Sequence, residues 1–211
     1  MILSVVAIII SYLIGSISFS VLIAKWLKGI DIRDHGSGNA GATNTLRVLG
    51  KGPAIFVLLL DALKGVAAIW LGVWFSIGLS GHTMYWVPAL CGIAAILGHN
   101  WPIYFRFRGG KGIATTIGVL ATLCIVPTLI AGVFAIASIV ITRYVSLGSL
   151  IFVTLTPIVL LIQGYSAPII TVSVIIWLLA VWRHQTNIVK IFKGTENKIG
   201  SKADKGGNKV V

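Results

Sequence analysis

Residues 112–142 read GIATTIGVLATLCIVPTLIAGVFAIASIVIT, 31 residues without a single charge. One bilayer crossing needs about 20 apolar residues, so this run is too long for one span. Pro127 divides it, because proline has no N–H to offer the helical ladder and its ring collides with the preceding turn. Two short helices joined by a tight outer turn are therefore expected. That division decides the parity of the whole chain, and hence the side on which each loop lies.

Working outward, the other apolar runs are residues 2–24, 53–79, 84–98, 147–162 and 168–182. The first is too long for a signal-peptide core and no basic residue precedes it, so it reads as a retained span. Together with the divided run these predict an all-α polytopic membrane protein with seven transmembrane helices. The basic residues test the count. Lys25, Lys28, Arg33, Arg47 and Lys51 lie between the first two runs, Arg106, Arg108 and Lys111 after the third, and Arg143 after the fifth. Arg183, Lys190, Lys193, Lys198, Lys202, Lys205 and Lys209 follow the seventh. Of the 17 basic residues only Lys64 falls inside a run. By the positive-inside rule the N-terminus is outside and the C-terminus cytoplasmic. A count of six would break the alternation.

Composition agrees. The chain has 211 residues, 57% of them hydrophobic, and its mean hydropathy is +0.99. Charged residues make up 10%, against roughly 25% in soluble proteins, which excludes a soluble domain. Long unbroken runs exclude the period-two alternation of an outer-membrane barrel. Cys91 and Cys124 sit inside apolar runs and suggest neither a disulfide framework nor a metal site. Residues 1–199 read as one integral-membrane domain and 200–211 as a disordered basic tail. The 15-residue run at 84–98 rises only about 22 Å, less than the hydrocarbon thickness. Several helices are thus short, and cytoplasmic loops should dip into the membrane, where irregular backbone survives only against protein or a cavity.

Three cytoplasmic segments carry residues that plain connectors do not need. The first, HGSGNAGATN at 35–44, places Ser37, Gly38, Asn39, Thr43 and Asn44 in a glycine-rich stretch, with Arg47 one turn beyond. Such backbone can curl and present amide groups to an anion. Thr43 or Asn44 would cap a following short helix. A flexible loop of turn formers is the competing reading.

The second, GHNWPIYFRFRGGKG at 98–112, holds His99 and Asn100 and brackets Lys111 with Gly109, Gly110 and Gly112. It is not a Walker A loop, which would need Gly at Phe105 and Ser or Thr at Gly112. His99 reads as a base, a phosphate donor or an interfacial cap. Lys111 reads as a phosphate contact or as a topological anchor. The third segment is split. Ser149 opens the sixth run, and Arg183, His184 and Asn187 lead out of the seventh. If Arg183–Lys190 is one helix, Arg183 and Asn187 share a face. A basic amphipathic segment on the membrane would explain Lys190 and Lys193 without any site.

Lys64 lies within a span, where an ionisable side chain is costly and marks a functional residue or an ion pair. Asp61 is its available partner. His82 reads as an ordinary surface histidine. The residues five positions after the four histidines are Ala40, Val87, Tyr104 and Val189, so no H-x-x-x-x-D pair exists. No nucleophile elbow appears, and no carboxylate cluster offers itself to a metal.

HGSGNAGATNTLRVLG, DALKG, GHNWPIYFRFRGGKGIAT, RYVSLGS and RHQTNIVKIFKGTENKI, in this order, resemble the bacterial PlsY family. These are acyl-phosphate:glycerol-3-phosphate acyltransferases, and the resemblance runs to about Ile199. It implies acyl transfer from acyl phosphate to the 1-hydroxyl of sn-glycerol 3-phosphate, yielding lysophosphatidic acid and phosphate. It implies no cofactor, no metal, no nucleic acid, and a place in the bacterial cytoplasmic membrane with the site facing the cytoplasm. On this reading Ser37, Lys111, His99 and His184 are the catalytic candidates. Gly38, Asn39, Thr43, Asn44, Arg47, Lys64, Asn100, Gly109, Gly110, Gly112, Ser149 and Asn187 bind substrate. Ser37 to Asn44 would hold one phosphate, Lys111 the acyl phosphate, and Arg47, Ser149, His184 and Asn187 glycerol 3-phosphate, with the two phosphates exchangeable. A transporter of an organophosphate anion is the rival class. It lacks basic residues on the outer side and any visible inverted repeat.

Overall fold

The computed structural model describes residues 2–77 and 83–200, and among them every regular element is helical. In chain order these are α1 (Ile2–Gly15), α2 (Phe19–Lys28), α3 (Ala42–Leu49), α4 (Lys51–Ser76) and α5 (Thr83–Asn100). They continue as α6 (Ile113–Leu123), α7 (Ile125–Thr142), α8 (Val145–Ile162), α9 (Ala167–Arg183) and α10 (Gln185–Phe192). Short 3₁₀ turns at Ile32–Asp34 and Ile103–Phe105 punctuate two loops. Four stretches are long and apolar enough to cross a bilayer: α1 with α2, α4, α7 and α8. The bent pair of α9 and α10 makes a fifth. The protein is a multi-pass membrane protein. The expectations for His82 and for 201–211 concern residues outside those described.

The long run at 112–142 does divide, but at Cys124 rather than at Pro127. The reason lies in the ladder: the missing N–H of Pro127 is the one that would have bonded the Leu123 carbonyl, so α6 ends there. Pro127 then sits in the first turn of α7, where that N–H is dispensable. Three other expectations need correction. The first span is interrupted between Gly15 and Phe19. The third helix has 18 residues, not 15, and rises about 27 Å. Among the helices from α4 to α9, only α6, at 11 residues, is shorter than 17.

Helices approach closely where glycine faces backbone, the packing mode expected when lipid removes the hydrophobic drive between helices. A Cβ on Gly118 would collide with the Ala62 carbonyl, and one on Gly65 with the Thr115 carbonyl, so α4 and α6 cross backbone to backbone. The main core joins α4, α5, α6, α8 and α9 through Ile69, Ile96, Leu120, Phe152, Leu160 and Ile176. A second cluster of Val21, Ala24, Ile32 and Ala40 anchors the 31–41 segment on α2. Burial of Ile32 and Ala40 thus pins both ends of the first glycine-rich loop.

Candidate active site

Asn44 shapes the first loop from inside. Its buried amide donates to the carbonyls of Ile32 and His35, both at 3.0 Å, and accepts from the Ser37 N–H at 2.8 Å. Gly36, at φ +61°, leaves the room this amide occupies. The expected cap is therefore corrected. α3 starts from Gly41 with no side-chain cap, because Asn44 is turned back into the loop. The N–H groups of Asn39 and Ala40 have no backbone partner among the described residues, and the Ser37 side chain is exposed.

The second loop is held from three sides. The Gly110 N–H donates to the His99 carbonyl at 3.1 Å. Arg183 donates through Nη2 (2.7 Å) and Nε (3.1 Å) to the Gly110 carbonyl, while stacking over Trp101. Arg33, paired with Asp31, donates to the carbonyls of Phe105 (2.9 Å) and Arg108 (3.3 Å). That guanidinium holds the Asp31 carboxyl down at about 2. Gly112 takes φ +78° and opens α6. The N–H groups of Gly109, Lys111 and Gly112 find no protein acceptor among the described residues, and those of the first turn of α6 are unpaired by helical geometry. Asn100 is buried beneath Gly112 with neither amide atom bonded to protein, which leaves a donor and an acceptor under the loop.

Lys111 donates to the Asn187 side-chain carbonyl, and the Asn187 amide donates to both carboxylate oxygens of Glu196, at 2.9 and 3.1 Å. Burial pushes Lys111 down to about 8, against the pull of Glu196 and with repulsion from Arg183, Arg47 and Lys190. Arg47 is half-buried in the same cluster, its charge offset by Glu196. His184 donates from Nδ1 to the Ala180 carbonyl at 2.7 Å, which leaves Nε2 as the bare nitrogen. The expectation of one helix over Arg183–Lys190 fails, because the chain bends by 63° at His184. Arg183 and Asn187 lie on different helices and still meet the same loop.

Not every candidate converges. The Ser149 hydroxyl is spent on the Val145 carbonyl at 2.9 Å. Lys64 is buried with its ammonium on the Ile17 carbonyl (2.9 Å), the Asp61 carboxylate (2.8 Å) and His99 Nδ1 (2.9 Å). Two hydrogen bonds and one ion pair thereby engage the ammonium inside the protein. Glu196 enters the site without having been singled out, and Arg183 without having been given a role there. A carboxylate among the basic residues that follow α9 was the available signal for Glu196.

A glycine loop, unpaired amides and a cationic cluster at the helix ends define a multi-pass membrane enzyme that handles anionic substrates. The chain belongs to the glycerol-3-phosphate acyltransferase family, whose model matches residues 5–194. It is an acyltransferase. A glycerol-3-phosphate acyltransferase of Shouchella clausii is 58% identical over 207 residues, covering 96% of this chain and 99% of the relative. One from Halalkalibacterium halodurans is 58% identical over 198 residues, with 92% and 94% covered. The fold matches a crystal structure of PlsY, an integral membrane glycerol 3-phosphate acyltransferase, in its glycerol 3-phosphate form. The TM-score is 0.86 at 37% identity, covering 93% of this chain and 96% of the other. The lysophosphatidic acid form of PlsY matches at TM-score 0.84 and 36% identity, with 95% and 97% covered.

Proposed function

We propose that the chain transfers a fatty acyl group from acyl phosphate to the 1-hydroxyl of sn-glycerol 3-phosphate, giving lysophosphatidic acid and inorganic phosphate. The observation that carries this reading is Lys111, which sits among unpaired loop amides and sends its ammonium to Asn187 of α10. Two groups of unpaired amides, one in each glycine-rich loop, suit two phosphate-bearing substrates. Glycerol 3-phosphate and lysophosphatidic acid, the ligands of the matched structures, are the acceptor and product of this reaction.

The hydroxyl oxygen attacks the acyl carbon, the bond from that carbon to the phosphate oxygen breaks, and phosphate leaves. An acyl phosphate is already activated, so the protein mainly positions it and stabilises developing negative charge. The hydroxyl proton passes to an oxygen of the leaving phosphate. Where a protein base competes, His184 is favoured, since its Nε2 holds the lone pair. Lys111 and the amides of Gly109 to Gly112 hold the acyl phosphate, with Asn100 beneath them. Arg47, His184 and Asn187 hold glycerol 3-phosphate. Ser37, Gly38, Asn39 and Thr43 bring the first loop's unpaired amides to that second phosphate, and Asn44 keeps the loop in shape.

Residues 1–199 act as one catalytic unit and 200–211 as a basic extension. Seven crossings are supplied by α1 with α2, α4, α5, α6, α7, α8 and α9, with the N-terminus outside. The site then faces the cytoplasm from the bacterial cytoplasmic membrane, where soluble glycerol 3-phosphate can reach it. The reading is tested by mixing purified protein with acyl phosphate and labelled glycerol 3-phosphate. Labelled lysophosphatidic acid should form, should survive EDTA, and should form far more slowly from acyl-CoA. Equal rates with both donors, or abolition by the chelator, would overturn it.

A further inference from the structure

The geometry assigns His99 to the Nε2–H tautomer, a fixed hydrogen-bond donor aimed at the glycine loop, with Asp61 and Lys64 as the positioning residues that hold it there. The argument rests on what an ammonium can do. It has donors and no lone pair, so the 2.9 Å contact between Lys64 Nζ and His99 Nδ1 calls for a bare Nδ1, and it outweighs the 3.5 Å approach of Asp61 Oδ1 to the same nitrogen, which is too long for a good hydrogen bond. The neutral ring must then carry its proton on Nε2. Asp61, 2.8 Å from the ammonium and almost fully buried, is the opposite charge that accompanies Lys64 within the span. The Ile17 carbonyl, freed where the first span is interrupted between α1 and α2, takes another Lys64 proton at 2.9 Å.

At the other edge of the ring, a Cβ on Gly110 would collide with His99 Nε2 and with the Ala40 carbonyl. Nε2 therefore lies against the backbone of the loop beside Lys111, and it makes no hydrogen bond to protein among the described residues. The His99 carbonyl meanwhile accepts from Gly110 N–H, so one residue holds the loop and presents a donor at its base. Lys64 thus acts through His99 and does not touch substrate. His99 and His184 carry opposite tautomers, the first a donor and the second a bare Nε2. This inference rests on the proposed acyl transfer only for its rate effect.

The experiment labels histidine with ¹⁵N in the purified, full-length protein and assigns His99 by its loss in His99→Gln. The wild-type spectrum should show a bare Nδ1 and a protonated Nε2, and the Nε2–H signal should move on adding glycerol 3-phosphate or inorganic phosphate. Asp61→Leu/Lys64→Met replaces the buried pair by apolar groups, which leaves no stranded charge. In it the tautomer preference should be lost, and kcat/KM should fall roughly 10- to 100-fold, the cost of a misdirected hydrogen bond to a charged group. A proton on Nδ1 in the wild type, an Nε2–H signal indifferent to both phosphates, or full activity in the double variant would each overturn the assignment. Should the double variant fail to insert, the wild-type spectra alone decide. A correct tautomer and phosphate response in a protein that transfers no acyl group would refute the proposed reaction and leave this assignment standing.

Discussion

The Lys111 ammonium donates to the side-chain carbonyl of Asn187, 76 residues further along the chain, and Asn187 in turn donates to Glu196. One amide therefore joins the Lys111 ammonium to the Glu196 carboxylate. Its orientation is dictated at both ends, since an ammonium needs an acceptor and a carboxylate needs a donor. Asn187→Leu, similar in size but unable to do either, should leave both charges unanchored and lower kcat/KM for glycerol 3-phosphate at least tenfold. Steady-state assays on the purified variant check this.

Lys111→Ala should cost on the order of 10²–10³ in rate, as for loss of one transition-state electrostatic contact in a partly shielded site. Lys111→Arg should rescue poorly, because a planar fork does not replace a compact ammonium between two glycines. Normal membrane insertion with most activity retained in the Ala variant would make Lys111 an anchor instead.

Because burial holds Lys111 at about 8, raising the pH through that value neutralises it in the free enzyme. kcat/KM for glycerol 3-phosphate should fall as pH climbs above about 8, whereas a bound phosphate keeps the ammonium charged and shifts the kcat limb higher. Glu196 raises the Lys111 value. Glu196→Gln should accordingly move the alkaline limb to lower pH. Profiles of both enzymes over the alkaline range give the answer.

Gly110→Ala puts a methyl group where His99 Nε2 and the Ala40 carbonyl already lie. The Ala40 carbonyl is backbone anchored by the buried Ala40 side chain, so the second loop must move instead. A displacement near 1 Å at a reacting centre costs about 10²-fold. Activity should fall by about that factor while thermal stability changes little, read by assay and by a melting curve on one preparation.

Orientation is tested by single cysteines introduced at Ser166 and Ser37. An impermeant thiol reagent should label Ser166→Cys in intact cells and Ser37→Cys only after permeabilisation. Labelling of Ser37→Cys in intact cells would overturn the seven-span reading and its orientation together.

Hydrophobic run lengths and glycine-rich loops were legible because they are local properties. An uncharged 31-residue run cannot be one ordinary span, and Pro127 withholds one N–H wherever the chain goes. The same logic marked Lys64, since a charge among apolar residues needs an explanation in any fold. What stayed hidden depended on where backbone groups ended up. Asn44 as a loop brace rather than a cap required the carbonyls of Ile32 and His35 to converge on one amide.

The amino-acid order by itself determined a helical membrane protein, the run of 31 residues that must break, and the glycine-rich segments that carry the candidate residues. It did so because apolar length, charge and glycine content act through the nearest few residues. Only the tertiary structure decided that Lys64 serves His99, that Arg183 clamps Gly110 across a bend at His184, and that Glu196 joins Lys111 through Asn187. Hydrogen bonds between residues 35 to 76 positions apart depend on how α4, α5, α9 and α10 pack, and no local pattern encodes a partner at that separation.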